Sequence, residues 1–304
     1  SDITAWSPDV VILIDYPGFN FRVAEWAHNK GYKVYYYIAP KVWASREGRI
    51  KRLKAYVDKL FIVFPFEIPY FTRKGIDFIY KGNPLVDAID NSAALKETRK
   101  EFLTRNGLKD KPMIALMAGS RTGEISSMMP VFMQFADKMR ALTQYADYQF
   151  VVAAAPSRSM SDYAQYLKGR EAYVNVVFGE SYAVIRHAEA AVVNSGTASL
   201  ETALIGTPQV VAYKGAEINF VIAKQIIKIR FISLGNLILN RTCFRELLQY
   251  YFTPDNVLEE VRRMIEDKEY RDNMLAGYQE IRNALGGRGA SAAVAKAMIE
   301  ELRR

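Results

Sequence analysis

The chain has 304 residues, half of them hydrophobic and 24% charged, enough to bury a large core and to build two domains. No apolar run approaches the ~18 residues that span a bilayer, and no basic region followed by an apolar stretch reads as a leader, so neither an integral membrane nor a secreted protein is indicated. A formal charge of +8 favours an anionic partner, which composition alone leaves open among nucleic acid, an anionic membrane and a phosphorylated substrate.

In chain order, apolar β-rich runs alternate with helical patterns, the mark of parallel βαβ architecture. Asp9–Asp15 (DVVILID) reads as a fully buried strand, followed by a turn at Tyr16–Asn20 and a helix from Phe21 to Lys30. Strands are expected at Lys33–Ile38, Lys59–Phe64 and Phe78–Tyr80, with a helix start at Pro65–Glu67. Between Lys41 and Lys59 lie seven basic residues against Glu47 and Asp58, either a solvated helix face or an anion-binding one.

A polar stretch from Asp90 to Lys111, ending in Asn106-Gly107 and Lys111-Pro112, marks the expected domain junction. Domains are therefore placed at 1–107 and 108–285, with a C-terminal helix in 286–304 that packs back on the first. The second series has strands at Met113–Met117, Tyr148–Ala154, Val174–Phe178, Ala188–Val193 and Gln209–Tyr213, giving an α/β fold of two Rossmann-like, doubly wound sheets with a ligand expected in the cleft between them. After Pro254 the chain is helical, with a break at Gly286–Ser291 and a last helix from Ala292.

Three strand-to-helix turns carry candidate chemistry. In SGTASLETALIGTP, Ser195, Gly196, Thr197 and the free N–H groups can hold a diphosphate, and Glu201, four residues past Thr197, can accept from ribose hydroxyls or simply lie exposed on a capped helix. In MAGSRTGEI, Gly119 permits a tight turn beside Ser120, and Arg121 can offer its planar fork to a phosphate or pair with Glu124 at the surface. In IDYPGFNFR, Asp15 stands at a strand's carboxyl end, either as a general base or as the organiser of its own turn. No Asp-x-Asp occurs, and His28 and His187 are the only histidines, so metal-independent chemistry without a cofactor is expected. The single cysteine, Cys243, excludes an intrachain disulfide and a thiolate cluster and fits a reducing, cytoplasmic setting. No RNP-type pattern, zinc-finger spacing or basic zipper is present, and nucleic acid is the weaker choice of partner.

Together IDYPGFNFR, YYIAPKVWASREGRIKRL (Tyr36–Leu53), VFPFE (Val63–Glu67), GNPLVD (Gly82–Asp87), AGSRTGEI, NSGTASLETAL and ISLGNLILNRTCFRELLQ (Ile232–Gln249) resemble the lipid-A-disaccharide synthase family, in order through most of the chain. The resemblance implies the two-domain GT-B fold and inverting transfer of 2,3-diacylglucosamine from UDP to 2,3-diacylglucosamine 1-phosphate, giving a β-1,6 disaccharide and UDP. It implies that Asp15 is the base, that Arg121 with Ser195–Thr197 holds the diphosphate, that Glu201 holds the ribose, and that Asn236, Arg241, Glu246 and Gln249 face the same cleft. It also implies peripheral contact with the anionic inner membrane face, for which Ile218–Phe231 reads as an interfacial or a core helix, and it leaves a homodimer open. The family usually has Asp at the place of Gly18 and Pro at the place of Gly235. Its members open with a strand and a Gly-Glu-x-Ser-Gly-Asp loop ahead of the segment that begins here, so the N-terminal sheet is expected to be incomplete, with an exposed apolar edge and uncertain activity.

Competing readings are another UDP-sugar enzyme of the same fold, such as a peptidoglycan N-acetylglucosaminyltransferase or a 2-epimerase, and a non-catalytic nucleotide- or membrane-binding module. The Trp43 and Asn236 segments argue against the first two.

Overall fold

The computed structural model describes residues 2–43, 47–215 and 230–304, and divides into two units, 1–87 with 283–304 and 88–282. In the first, β1 (Val10–Ile14), β2 (Lys33–Tyr37), β3 (Lys59–Ile62) and β4 (Phe78–Tyr80) form a parallel sheet in that order. Alternate side chains of a strand point to opposite faces. Val11, Leu13, Val34 and Tyr36 accordingly pack with Phe21, Ala24 and Ala27 of the helix Pro17–Asn29, while Tyr35 and Phe61 on the other face meet Val294 and Ala297 of the helix Ala290–Leu302. Of β1, the edge strand, Val10 packs against that second cluster, whereas Ile12 and Ile14 on the same face stand 43% and 57% exposed. The expectation of a fully buried first strand is thereby corrected. Its helix also begins earlier than expected, because Pro17 supplies a fixed φ at the first helical position and the turn at 16–20 becomes the first helical turn.

The GNPLVD segment secures the returning C-terminal helix. The Asp87 carboxylate accepts the Gly289 and Ser291 N–H groups at 2.7 and 2.8 Å, at the positive end of that helix. Gly82 has φ +93°, and a Cβ there would lie 3.0 Å from the Leu285 carbonyl oxygen.

The second unit has six parallel strands in the order β10-β9-β8-β5-β6-β7, where β5 is Met113–Met117, β6 Gln149–Ala154, β7 Val174–Phe178, β8 Ala190–Asn194, β9 Gln209–Tyr213 and β10 Glu246–Leu248. The short β10 extends the sheet beyond the five expected strands. The helix Arg99–Arg105 buries Phe102 and Leu103 in this unit's core, so the division falls at 87/88 rather than at 107/108. Among the described residues no helix is long and apolar enough to cross a membrane.

Candidate functional site

In the second unit β5 and β8 are neighbours, and the chain winds away from them in opposite directions, through β6 and β7 on one side and through β9 and β10 on the other. Such a switch point leaves the two loops at the strand carboxyl ends apart and opens a crevice between them. The first loop needs glycine. Gly119 has φ +92°, and a Cβ would stand 2.4 Å from Glu124 Oε2 and 2.7 Å from Asn194 Nδ2. Glu124, in the first turn of the helix Thr122–Arg140, accepts the Ser120 and Arg121 N–H groups at 2.9 and 3.1 Å and pairs with Arg121 Nη1 at 2.9 Å. Arg121 thus adopts the surface pairing that its sequence context left open, with a side chain 84% exposed. Arg158, which sequence reasoning missed, braces this loop from the end of β6: its Nε donates to the Ser120 carbonyl at 2.7 Å and its Nη1 to Thr122 Oγ1 at 3.1 Å. An arginine two residues past a proline at a strand's carboxyl end was the available signal.

The second loop leaves β8 through Ser195, whose N–H extends the ladder to Ala212, and enters the helix Thr197–Ile205. Ser199 Oγ donates to the Gly196 carbonyl at 2.8 Å, whereas the Ser195 and Thr197 hydroxyls have no protein partner among the described residues. Glu201, one turn on, is half-buried and accepts from the Tyr182 hydroxyl at 3.2 Å. Burial holds its carboxyl above the usual range, opposed by that hydrogen bond. Glu201 and Tyr182 line a cleft of about 720 Å³ together with Gly179, Glu180 and Arg105. Arg105 grips Glu180 with Nη2 at 2.5 Å and Nε at 3.2 Å, which fixes that wall.

In the first unit Asp15 follows β1. Asp15 and Tyr16 both have left-handed backbones, at φ +45° and +43°, a conformation that non-glycine residues hold only under constraint. The constraint is visible. The Asp15 N–H bonds the Tyr37 carbonyl at 3.0 Å, and the Asp15 carbonyl accepts from Tyr36 Oη at 2.6 Å and Asn20 Nδ2 at 2.8 Å. Asn20 also caps the Ile14 carbonyl at 3.0 Å. The turn is therefore organised by Asn20 and Tyr36, and the exposed Asp15 carboxylate has no hydrogen-bond or ion-pair partner among the described residues.

A family model described as lipid-A-disaccharide synthetase matches residues 1–298. The chain is also 36% identical over 299 residues to the lipid-A-disaccharide synthase of Trichlorobacter lovleyi, covering 97% of this chain and 76% of that protein. The chain belongs to the lipid-A-disaccharide synthase family. It is accordingly a glycosyltransferase of lipid A biosynthesis. Solved structures of other proteins share its fold, among them two with bound ligands. The S. aureus MnaA co-structure with UDP aligns with a TM-score of 0.71 over 99% of this chain and 78% of that one, at 14% identity. The UDP-GlcNAc 2-epimerase of Neisseria meningitidis bound to UDP-GlcNAc aligns at 0.67 over 98% and 78%, also at 14% identity. At such identity the likeness is one of fold, and the family match separates this chain from the epimerases.

The C-terminal motif that resembles the lipid-A-disaccharide synthases is divided by the structure. Asn236 is fully buried and its amide is saturated: Nδ2 donates to the Phe244 carbonyl and to Glu246 Oε1, both at 2.9 Å, and Oδ1 accepts the Cys243 N–H at 2.8 Å. Glu246 accepts the N–H groups of Ile232 and Ser233 at 3.0 Å, at the start of the helix Leu234–Leu239, and also the Ser233 hydroxyl. These two hold the 232–246 segment together: the Asn236 amide is spent inside it, and the half-buried Glu246 carboxylate is engaged by Ile232, Ser233 and Asn236. Arg241 pairs with Glu280 at 2.6 Å in a half-exposed arrangement. Gln249 has φ +51° and a buried Nε2 without a protein partner. The expected interfacial helix at Ile218–Phe231 lies, up to 229, outside the described residues, as do residues 44–46 of the Trp43 segment. Among the described residues no group of three or more His, Cys, Asp or Glu side chains is placed to hold a metal ion.

Proposed function

We propose that this member of the family transfers 2,3-diacylglucosamine from UDP-2,3-diacylglucosamine to 2,3-diacylglucosamine 1-phosphate, forming the β-1,6 disaccharide 1-phosphate and releasing UDP. The observation that carries the reading is the pairing of the Gly119 and Ser195–Thr197 loops at the β5/β8 switch point, each opening a helix of nine residues or more. A helix N-terminus beside the unpartnered Ser195 and Thr197 hydroxyls suits a diphosphate, while at the first loop Glu124 already holds the Ser120 and Arg121 N–H groups. Ser120, Gly196 and Arg121 belong to the same assignment, with Arg121 leaving Glu124 to meet the phosphate oxygens. Glu201 accepts from the ribose, and its half-buried setting beside Tyr182 supports that role.

Asp15 takes the proton from the acceptor's 6-hydroxyl as that oxygen attacks the anomeric carbon and the UDP oxygen departs with the bonding pair. Inversion follows from a single displacement. An exposed carboxylate on a rigid, strained turn supports this choice, since a base gains from fixed placement. Arg241 and Gln249 remain candidate substrate contacts, and Gln249 is favoured by its unmet amide.

Peripheral contact with an anionic membrane belongs to the same proposal. Its support is the basic segment, where Lys51 and Lys54 are exposed while Arg52 is tied to Glu25 at 2.8 Å. The test is transfer of labelled diacylglucosamine between the two named substrates, with and without EDTA and with and without anionic vesicles. Formation of labelled disaccharide insensitive to EDTA is expected. Binding of the UDP-sugar without transfer would return the chain to the reading of a nucleotide-binding module.

A further inference from the structure

We infer that Trp43 and Phe66 form a recognition surface for the acceptor sugar in the first unit, and that Glu67 is the positioning residue that fixes it. The inference rests on the reading of Asp15 as the base, because it concerns the sheet edge from which Asp15 projects.

Glu67 opens the helix Glu67–Arg73, just past the end of β3, and is 1% exposed. A buried carboxylate is costly unless hydrogen bonds meet it, and here three do. Oε2 accepts the Val63 and Phe64 N–H groups at 3.2 and 3.0 Å, and Oε1 accepts the Trp43 indole N–H at 3.2 Å. The two backbone amides could be met by one oxygen of a neutral side chain. What the second carboxylate oxygen adds is a hold on Trp43.

Trp43 arrives on a constrained path. The chain leaves β2 through Ile38, whose φ of +61° is rare for a β-branched residue, and the Ile38 N–H bonds the Phe61 carbonyl at 3.1 Å. In the neighbouring register the Asp15 N–H bonds the Tyr37 carbonyl. Two strained turns thus leave the sheet side by side at its carboxyl edge, one carrying Asp15 and the other leading to Trp43. The buried Ala39 and Val42 anchor the connecting stretch.

Around Trp43 the aromatic groups are ordered. Its ring meets Phe66 edge-on at 4.8 Å and 79°, and Phe66 stacks on Phe64 at 5.2 Å and 6°. Phe64 is buried, whereas Trp43 and Phe66 keep part of their surface open. Aromatic faces beside a few fixed polar groups are the usual lining of an organic ligand's site. The ligand class is an acylated hexosamine phosphate, with its apolar ring face and acyl carbonyls against the rings.

Three variants test this: Glu67→Gln, Trp43→Leu and the two combined. If the glutamine carbonyl keeps the Val63 and Phe64 amides, its NH2 turns a donor toward the indole donor and releases Trp43 alone. Each single variant should raise the acceptor KM about tenfold, leave the donor KM within twofold, and preserve a cooperative thermal transition. The double variant should be no worse than Trp43→Leu, because Glu67 acts through Trp43. Multiplying effects, or equal rises in both KM values, would overturn the inference. If the parent chain forms no disaccharide, the failure lies with the proposed reaction. The inference is then read from the Trp43 indole N–H resonance during titration with diacylglucosamine 1-phosphate in micelles. A saturable shift sustains it and an unmoved resonance defeats it.

Discussion

The Tyr36 hydroxyl donates to the main-chain oxygen of Asp15 at 2.6 Å, joining a fully buried side chain to the strained turn that carries an unpartnered carboxylate. Burial and the nearby Asp15 charge push the Tyr36 hydroxyl well above its ordinary pKa, so it remains a donor at neutral pH. Tyr36→Phe keeps the ring in the core and removes only that bond. The Asp15 carbonyl retains Asn20, so the cost in stability should be about 1 kcal/mol. A roughly tenfold fall in kcat with unchanged UDP affinity is expected, measured by steady-state transfer and calorimetry. An unchanged kcat would show that the turn holds without Tyr36.

Asp15→Asn tests the base directly. Because the turn is organised through main-chain atoms, Asn20 and Tyr36, the substitution should leave it folded. Loss of a general base costs about 10²–10⁴ in rate, and UDP affinity should stay within twofold of the parent. Turnover within a few-fold of the parent would remove Asp15 from the mechanism.

Glu201 separates nucleotide binding from chemistry. Glu201→Ala strands the Tyr182 hydroxyl and removes the candidate ribose acceptor, so UDP affinity should fall by about 1–3 kcal/mol. Glu201→Gln, which keeps an acceptor for Tyr182, should recover much of that loss. Isothermal titration with UDP gives the answer, and equal affinities for all three proteins would end the ribose assignment.

Asn236→Ala should act on the fold. It unmakes contacts to the buried Phe244 and to the half-buried Cys243 and Glu246, and leaving such groups unmet costs about 2–4 kcal/mol. Urea melts should show that loss, with activity falling in proportion to the unfolded fraction. A stable protein without activity would instead make Asn236 a substrate contact.

That contrast marks where the sequence was legible. Continuous apolar runs ending in turn residues located the parallel strands, because a strand buried on both faces needs no alternation. DVVILID misled because the run is the same whether or not its second face is covered. The loops at Gly119 and Ser195 could be found because glycine and small hydroxyl residues follow strand ends there. Side-chain roles set by distant partners could not. Asn236 and Glu246 looked like cleft residues, and only the fold shows their bonds to one another and to Ile232 and Ser233. Glu67 was visible only as part of VFPFE, and nothing local announced the Trp43 indole 24 residues earlier.

Glu67 also makes a prediction about pH. Burial lifts its carboxyl to about 7, outweighing the Phe64, Val63 and Trp43 hydrogen bonds and the nearby Lys41 charge, which all pull it down. In the unfolded chain an ordinary glutamate titrates near 4.3. The folded protein therefore holds this proton more tightly than the unfolded one. Its contribution to stability is fully present below about pH 4.3, shrinks as the pH rises, and is lost once the pH passes about 7. At about 1.36 kcal/mol for each tenfold in proton affinity, the whole span amounts to roughly 4 kcal/mol. Glu67→Gln cannot titrate, so the difference in unfolding free energy between parent and variant should change by roughly 2–3 kcal/mol between pH 5 and pH 8, to the parent's disadvantage at the higher pH. Other titrating groups are common to both proteins and cancel in that difference. Urea titrations at four pH values across the range measure it. A parent-minus-variant difference that stays flat would mean that Glu67 is ionised throughout, with its three donors and Lys41 outweighing the cost of burial.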